Sequence, residues 1–423
     1  MTSMETIGGD FKASFREIKN ISELEKSIEK TANTKITDLL EVIFGGAVEL
    51  DASDIHIEPE EKESKVRIRI DGVLQDVAKI SKETSQSALS RIKLLAKIKM
   101  NVSDRPQDGR FSLAFFSQQK KEVPIEIRVS TLPAENGESL VLRILNPKNL
   151  MTLEGLGLRK NLLNLFRKEI KKPNGMIIVT GPTGSGKTTT LYAFLKEVQK
   201  PEIKIITIED PIEYHLVGIS QTQVKGKEYD FASGLKSVMR QDPDVILVGE
   251  IRDLETVNTA LQASLTGHLV FTTLHTNDAA GTIARLISLG ANPSNIGPAV
   301  NLTVAQRLVR KICQKCGALK TPLPEEMRKI RGVLKKLPQN IKIPKIKGCA
   351  YCNNTGYKGR VGIFEAFLID DEIEKFIATS PSIAALRKKA VESGMVAMRE
   401  DGFMKILEGT TTLEEVERVA GEE

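Results

Sequence analysis

The feature that constrains this chain most is an apolar run followed directly by a glycine-rich turn. Residues 176–179 have the length and the β-branched content of a buried strand. Gly181, four further residues, then Gly186, Lys187 and Thr188 follow the spacing G-x-x-x-x-G-K-[ST], in which backbone N–H groups surround phosphates. A purely structural glycine-rich turn is the alternative. The strand before the turn and the helical pattern at 188–198 favour a phosphate-binding loop.

This loop predicts a set of nucleotide-binding residues. Lys187 is expected to reach the β and γ phosphates, and the Thr188 hydroxyl is expected to bind Mg²⁺. The other predicted contacts come from the loop and the first helical turn: Gly181, Pro182, Thr183, Gly184, Ser185, Gly186 and Thr189. The expected ligand is a nucleoside triphosphate.

Length and composition limit the possibilities further. A chain of 423 residues predicts two to four domains. The net charge of +6 is mildly basic, which permits contact with an acidic membrane surface or nucleic acid but argues for neither. Trp is absent and only 4% of the residues are aromatic, so platforms for base stacking are scarce. We therefore expect no direct binding of nucleic acid.

The chain start and its hydropathy predict an intracellular, soluble protein. Residues 1–10 lack the basic start and apolar centre of a signal peptide. No apolar stretch approaches the roughly 18 residues that span a bilayer. Membrane contact is therefore expected only through partners or surface charge.

The first 150 residues predict a tail followed by an α+β domain. Residues 1–34 are polar and are interpreted as a tail or linker, and residues 35–150 as the domain. A helix is expected from Ile36, with Gly45 and Gly46 interrupting its pattern late. Half-buried strands are expected at 53–58, 65–71, 110–115, 123–129 and 140–145. Residues 90–100 predict a basic amphipathic helix that covers a sheet and keeps its lysines solvated, with a membrane-surface role as the alternative.

Residues 151–310 predict the alternating pattern of a mainly parallel sheet. Residues 151–170 are interpreted as a linker and a helix, and residues 171–310 as the core. Apolar strand patterns recur at 203–208, 244–248 and 269–272, separated by helical segments. Acidic and histidine residues follow these strands. Open α/β sheets bind ligands at that edge.

Hydrolysis of a triphosphate needs a carboxylate that orients water or holds the metal. Glu250 directly follows the strand at 244–248 and is assigned to the water or the Mg²⁺ shell. Glu209 or Asp210 is assigned to a second carboxylate position. His268 and His275 flank one strand, where a neutral imidazole could sense the γ phosphate or bridge to the acidic strand end. A surface or cap carboxylate and a structural histidine are the alternatives.

Four cysteines form two C-x-x-C pairs, Cys313 with Cys316 and Cys349 with Cys352. Four thiolates match tetrahedral Zn²⁺, so residues 311–360 predict a zinc-binding module, with redox thiols or an empty site as alternatives. The loop between the pairs contains four prolines and many lysines and is expected to be an exposed insertion. Residues 361–423 predict a helical C-terminal region, including a cap at Thr412.

Several segments together resemble the secretion ATPases, the family that powers bacterial type II secretion and type IV pilus assembly. The nucleotide-binding motifs of that family are matched at 181–191, 208–214, 240–253 and 266–277. Its N-terminal domain is matched at 52–59, 69–72, 105–110 and 128–133. The resemblance implies an α/β fold: a RecA-like P-loop NTPase domain after an α+β, PAS-like domain, with a zinc-binding insertion and a helical C-terminal region.

The resemblance also implies function. It indicates a cytoplasmic homo-hexamer that hydrolyses ATP with Mg²⁺ and binds Zn²⁺, with ATP held between two domains. Arg110 and Arg128, and also Arg105, are expected to approach the γ phosphate, because a guanidinium pairs phosphate oxygens and stays charged. A solvent-facing Arg128 is the alternative.

The expected partner is the inner-membrane platform protein of a pilus or secretion machine, which would hold the protein at the inner membrane. The tetracysteine pattern favours assembly or secretion over pilus retraction. A RecA-like nucleic-acid motor and a non-catalytic scaffold remain as rival classes. Relatives usually have a further N-terminal domain, so a short relative or a shortened form is expected.

Overall fold

A computed structural model describes residues 11–32, 34–119, 121–226 and 228–421, which form two compact units. The first unit contains the described residues up to Asn149 and two short segments, Cys313–Cys316 and Ile346–Lys358. The second unit contains Leu150–Ile312, Gly317–Lys345 and the described residues from Gly359 onward. The chain therefore leaves the first unit after Asn149 and returns to it twice.

The first unit is a seven-stranded sheet with helices. Its strand order is β1-β5-β6-β7-β2-β3-β4, in which β1 and β5 are parallel and the other neighbours antiparallel. The elements are β1 (Phe11–Ser14), α1 (Ile21–Thr31), α2 (Ile36–Glu49), β2 (Asp54–Pro59), β3 (Glu63–Ile70), β4 (Val73–Ser81), α3 (Lys82–Leu95), β5 (Gln107–Phe116), β6 (Glu122–Ala134) and β7 (Gly137–Leu145).

The predicted N-terminal tail is wrong for residues 11–32. β1 adds to the sheet beside β5, and Leu24 and Ile28 of α1 are buried. A Cβ at Gly46 would lie 2.4 Å from Leu24 Cδ1, so the glycine lets α1 approach α2 closely, and α2 continues through Gly45 and Gly46. A short strand and a helix with two buried residues have little apolar pattern, which is why this segment resembled a tail. Residues 1–10 and 33 of the predicted tail lie outside the described residues.

The basic helix predicted at 90–100 has different bounds and a buried lysine. α3 begins earlier because Ser81 caps it, accepting a hydrogen bond from the Thr84 amide. It ends at Leu95, and Lys97 then takes a left-handed conformation with φ 57°, a position that glycine usually marks. Lys93 is buried and donates to Glu138 at 2.6 Å. Its solvation was therefore predicted wrongly.

The second unit is built on another seven-stranded sheet, in the order β10-β9-β11-β12-β8-β13-β16. Its elements are α4 (Lys160–Glu169), β8 (Gly175–Thr180), α5 (Lys187–Val198), β9 (Ile205–Glu209), β10 (Ser220–Gln223), α6 (Phe231–Val238), β11 (Val245–Val248), α7 (Leu254–Leu265), β12 (Leu269–Leu274), α8 (Ala279–Ser288), α9 (Pro293–Ala299), β13 (Val300–Ile312), β14 (Ala318–Lys320), α10 (Pro324–Val333), β15 (Ile343–Lys345), β16 (Tyr357–Leu368), α11 (Asp371–Ile377), α12 (Ile383–Glu392), α13 (Met398–Leu407) and α14 (Leu413–Ala420).

The sheet of the second unit is parallel from β10 to β13 and is buried on both faces. Met176 and Ile178 of β8 pack into one apolar cluster, while Ile177 and Val179 pack into another. Helices α6 to α9 cover the first face and α4 and α5 the second. This confirms the predicted α/β class, because central parallel strands are continuous apolar runs covered on both faces.

Three predictions for the last third of the chain need correction. The loop between the cysteine pairs is not simply an exposed insertion, since Ile330, Leu334 and Ile343 are buried in the core of the second unit. Residues 357–368 form the edge strand β16, and helices dominate only after it. Residues 311–360 do not form a separate module. The cysteine pairs lie in the first unit, where Asn353 Oδ1 accepts a hydrogen bond from the Ile21 amide at 2.8 Å.

Candidate functional site

The phosphate loop follows β8, which lies between β12 and β13 in the sheet. Loop residues leave the carboxyl end of β8 and enter α5 at Lys187. Gly181, Gly184 and Gly186 all have positive φ, at 147°, 78° and 88°. A Cβ at Gly181 would lie 2.7 Å from the carbonyl oxygen of Gln306, so only glycine fits there. The loop thus has the backbone freedom and the helix N-terminus that favour an anion.

The Lys187 ammonium lies folded onto the loop. It donates to the carbonyl oxygens of Gly181 at 2.8 Å and Pro182 at 3.3 Å. Burial lowers its pKa and the nearby charge of Arg307 adds to this, while Glu250 acts in the opposite direction. The buried hydroxyl of Ser185 has no hydrogen-bond partner among the described residues. The Lys187 ammonium, which donates to carbonyl oxygens, and the unpaired Ser185 hydroxyl could both donate to a phosphate group.

Glu250 is the centre of a charged cluster after β11. One carboxylate oxygen is paired with Arg252, and the other lies 3.3 Å from His275 Nε2. Arg252 also lies 4.0 Å from Asp210, and its hydrogen bond to Glu250 raises the Arg252 pKa. The structure therefore brings together Glu250, His275 and Asp210, each predicted from a different strand end.

The second carboxylate position had two candidates, and the structure separates them. Glu209 is buried and accepts hydrogen bonds from Tyr192, from Thr207 at 2.6 Å and from Gln221 at 3.1 Å. Burial, and then the Glu209 charge, raise the pKa of the Tyr192 phenol. Glu209 therefore lies in a network beneath α5, because every residue of β9 is buried and Thr207 shares its face. Only Asp210 lies in the Glu250 cluster.

His268 does not lie near the phosphate loop in this unit. It precedes β12, and its carbonyl accepts from the amide of Gly175 at the start of β8. Its Nδ1 lies 3.0 Å from the Ala263 carbonyl oxygen. The strand between His268 and His275 spans about 20 Å. His268 is therefore not a γ-phosphate sensor within this unit but a structural histidine at the opposite end of the strands.

Two residues of β13 contact the loop and were not predicted. Gln306 is buried; it accepts from Thr190 Oγ1 at 2.8 Å and donates to the Ser185 carbonyl oxygen at 2.8 Å. Arg307 NH2 donates to the Asn277 carbonyl oxygen at 2.8 Å. The available signal was the mostly apolar run 302–305 followed by Gln-Arg, similar to the pattern that identified the other strand ends.

Arg110 and Arg128 lie opposite each other on β5 and β6 of the first unit. Arg128 is in turn opposite Arg143, and Asp54 lies between Arg143 and Arg69. Residues opposite each other share one face of a sheet. We call these residues the arginine row: Arg110, Arg128, Arg143, Asp54 and Arg69.

Two carboxylates, Asp54 within the arginine row and Glu126 beside it, lie close to its arginines. Buried Asp54 lies 3.2 Å from Arg143 Nε and 3.4 Å from Arg69 Nε. Arg128 Nε lies 3.3 Å from Glu126, and both side chains are partly exposed. Arg110 is exposed, and no ion pair of its side chain occurs among the described residues. Arg105 is also exposed and lies outside the strands.

The four cysteine sulfurs lie within 4.8 Å of one another. Cys313 and Cys349 are 3.9 Å apart, and Cys316 and Cys352 are 3.7 Å apart. A tetrahedral ion with Zn–S bonds of about 2.3 Å separates its sulfurs by about 3.8 Å. Amides of Cys349 and Gly356 point to Cys352 Sγ at 3.2 and 3.3 Å. The donor set therefore fits Zn²⁺.

Among the described residues, no helix has the length and apolar content needed to cross a membrane.

The fold and the loop define a P-loop nucleotide-binding protein with a carboxylate cluster beside the phosphate loop. Residues 29–418 match the model of the family described as Type II/IV secretion system protein. The chain belongs to this family, as the resemblance indicated.

Curated relatives agree with this assignment. "Type II secretion system ATPase E" of Vibrio cholerae is 43% identical over 424 residues, covering 99% of this chain and 82% of the relative. "Type IV pilus assembly ATPase PilB" of Myxococcus xanthus is 38% identical over 412 residues, covering 97% and 72%.

Among solved structures, "Crystal Structure of the Pilus Retraction Motor PilT and Bound ADP" is 27% identical with a TM-score of 0.60, covering 90% of this chain and 95% of that chain. The Legionella pneumophila ATPase DotB shares the fold, with a TM-score of 0.65 at 22% identity and coverage of 90% and 95%.

Proposed function

We propose that this protein is a motor that assembles a type IV pilus or the pseudopilus of a type II secretion system. The chain is an ATP hydrolase of the secretion ATPase family. The observation that carries the proposal is the phosphate loop with Lys187 beside the cluster of Glu250, His275 and Asp210. Both groups follow neighbouring parallel strands, where α/β sheets bind nucleotides.

Each residue of this edge has a proposed role in hydrolysis. The loop amides and Lys187 hold the β and γ phosphates, and Thr188 supplies a hydroxyl for Mg²⁺. The metal, when bound, neutralises phosphate charge. Glu250 orients the attacking water, and His275 holds the Glu250 carboxylate in position. Asp210 and Glu250 both lie close to Arg252, so Asp210 competes with Glu250 for the Arg252 charge.

The arginine row supplies positive charge to the triphosphate in this proposal. Arg110 and Arg128 are the contacts, and Asp54 holds Arg69 and Arg143 in place. In a homo-hexamer, domain motion coupled to ATP binding and product release would drive movement. The expected partner is an inner-membrane platform protein, through which the protein acts at the cytoplasmic face of the inner membrane.

Two observations favour assembly over retraction. The relatives at about 40% identity are named for type II secretion or pilus assembly, whereas the retraction motor PilT is 27% identical. The tetracysteine cluster, a feature that the resemblance associates with assembly members, is present and fits a structural Zn²⁺. Retraction remains the second candidate, and it is separable by phenotype. Deleting the gene of an assembly motor should remove pili or secretion, whereas deleting a retraction motor should leave excess pili.

Lys187→Ala tests the nucleotide site. We expect phosphate release to fall by more than about 100-fold, because the cation on the β and γ phosphates is lost. Lys196→Ala is the matched control, since Lys196 is an exposed lysine on the same helix α5. Its turnover should stay within about twofold of the wild type. Unchanged hydrolysis in Lys187→Ala would overturn the proposal and favour a scaffold. Single-strand DNA binding that weakens steeply with salt would favour a nucleic-acid motor.

A further inference from the structure

Arg307 lies next to the phosphate loop on β13, on the side of β8 opposite β12. Its NH1 would be 3.2 Å from a Cβ at Gly181, so the guanidinium reaches the first glycine of the loop. Lys187 donates to the carbonyl oxygen of that same glycine. Two cations therefore lie at the start of one phosphate loop.

The partners of Arg307 are carbonyl oxygens. NH1 donates to the carbonyl of Gln306 at 3.0 Å, and NH2 donates to the carbonyl of Asn277 at 2.8 Å. Among the described residues, no carboxylate lies within 4.0 Å of its guanidinium. A guanidinium has five N–H donors, so Arg307 retains donors for an anion.

The two carboxylates whose charges act on Arg307 already have other partners. Asp278 is paired with Arg387, and buried Glu365 accepts from the amides of Ala279 at 2.7 Å and Met398 at 3.1 Å. Burial lowers the pKa of Arg307, and the charges of Glu365 and Asp278 only partly oppose this. The positive charge at this position is thus desolvated without a direct counterion, which is costly unless an anion binds.

Arg307 also contacts the segment that holds His275. Asn277 lies two residues after His275, whose Nε2 is 3.3 Å from Glu250. Thr276 lies between them, and its amide donates to Thr180 Oγ1 at the end of β8 at 2.8 Å. The segment 275–278 is therefore connected both to the phosphate-loop strand and to Arg307.

We propose that Arg307 is a positioning residue that binds the terminal phosphate of ATP from its own chain and transmits this contact to residues 275–278. The inference rests on the proposed function, because it needs a nucleotide in the phosphate loop. Arginine suits this role since its planar fork can hold the Asn277 carbonyl with one nitrogen and a phosphate oxygen with another. Lysine keeps the charge but presents all its donors from one nitrogen, without the two separated nitrogens of the guanidinium.

The test measures affinity rather than turnover. A non-hydrolysable ATP analogue and ADP, each with Mg²⁺, are titrated into wild type, Arg307→Gln, Arg307→Lys and Arg285→Gln by calorimetry. Arg285→Gln is the matched control, because Arg285 is an exposed arginine on α8. We expect the affinity of Arg307→Gln for the ATP analogue to fall about 10- to 100-fold, since one charge-assisted contact is lost. The fold-loss of affinity for ADP should be at least ten times smaller. Arg307→Lys should lie between.

Hydrogen exchange supplies a second readout. In wild type and Arg285→Gln, the ATP analogue should slow exchange of the amides at 275–278, and in Arg307→Gln this extra protection should disappear. Equal losses for the ATP analogue and ADP, or an unchanged affinity for the ATP analogue, would overturn the inference. Lys187→Ala in the same titration separates the two proposals: if it also binds normally, the nucleotide site itself is refuted. If only Arg307→Gln binds normally, the inference about Arg307 alone fails.

Discussion

The phosphate loop of the second unit and the arginine row of the first unit both concentrate positive charge, but they are assembled differently. The loop groups its ligands within eight consecutive residues, from Gly181 to Thr188. The arginine row draws single residues from five strands that span residues 54–143. One site is defined by a short stretch of chain, and the other by strand register.

The two sites also differ in how they balance their charge. In the second unit, Glu250 is paired with Arg252 and lies 3.3 Å from His275, and its charge opposes the lowering of the Lys187 pKa that burial causes. In the first unit, like charges face each other directly at Arg110 and Arg128, an arrangement that destabilises a sheet. In the arginine row, Asp54 lies against Arg69 and Arg143, and Glu126 lies against Arg128. Arg110 has no ion pair among the described residues and is therefore expected to receive its counterion from outside the unit.

The largest expected effect comes from Glu250→Gln, which removes the charge at the centre of the cluster. We expect the turnover number to fall about 10²- to 10⁴-fold, because the amide cannot accept a proton from water. ATP affinity should change little, since the phosphate loop is intact. Steady-state phosphate release and nucleotide titration measure the two quantities. Glu255→Gln, an exposed carboxylate on α7, is the control. Normal turnover in Glu250→Gln would show that Glu250 does not act on the attacking water.

The next effect tests the arginine row. Arg110→Gln and Arg128→Gln should each lower turnover by about 10- to 100-fold while the melting temperature is unchanged or rises, because opposed charges are relieved. Lys79→Gln on β4 of the same sheet should leave turnover unaffected. Kinetics and thermal melting of the full chain give both readings. A loss of stability with normal turnover would show that the row is structural.

Metal removal should have an intermediate effect on stability. Cys316→Ser is expected to reduce bound zinc from near one equivalent to near zero and to lower the melting temperature by more than about 5 °C. Metal analysis and calorimetry measure this. A chelator should reproduce the shift in wild type and add nothing in Cys316→Ser. The cluster resembles the arginine row in its assembly, since its two pairs lie 36 residues apart. Freshly purified protein without zinc would contradict this prediction.

The smallest effect is expected at Arg310, an arginine that has a carboxylate partner and can be compared with Arg307. Arg310, three residues along β13, is paired with buried Glu415. Burial alone would raise the pKa of Glu415, but hydrogen bonds from Arg418 and Arg310 hold it at about 2. Because the Glu415 pKa is lower in the folded protein, its charge stabilises the fold at pH values above the ordinary carboxyl pKa of 4.5. This stabilisation is lost as pH falls towards 2.

Glu415→Gln should therefore cost about 1–2 kcal/mol of unfolding free energy at pH 7. The difference from wild type should shrink below about pH 4. Denaturant unfolding across pH gives the measurement. A cost that does not vary with pH would mean that lost packing, rather than charge, explains it.

Much of the second unit was predictable from the sequence, because its signals are local. The apolar run of β8, the loop glycines and Glu250 after β11 follow from consecutive residues and from the rule that parallel strands bind ligands at their carboxyl ends. The same rule failed at His268, because the residue precedes its strand rather than following it. It also could not choose between Glu209 and Asp210, since adjacent residues at a strand end point in opposite directions.

The sequence by itself determined the phosphate loop, the α/β class and the two cysteine pairs, because each depends on spacing within a few residues. Only the tertiary structure decided that β1 and α1 complete the first unit, that Arg110, Arg128, Arg143 and Arg69 share one row, and that Arg307 reaches Gly181. These contacts join residues that are far apart in the chain. They depend on strand order and register, which are fixed by burial of the whole sheet rather than by any one segment.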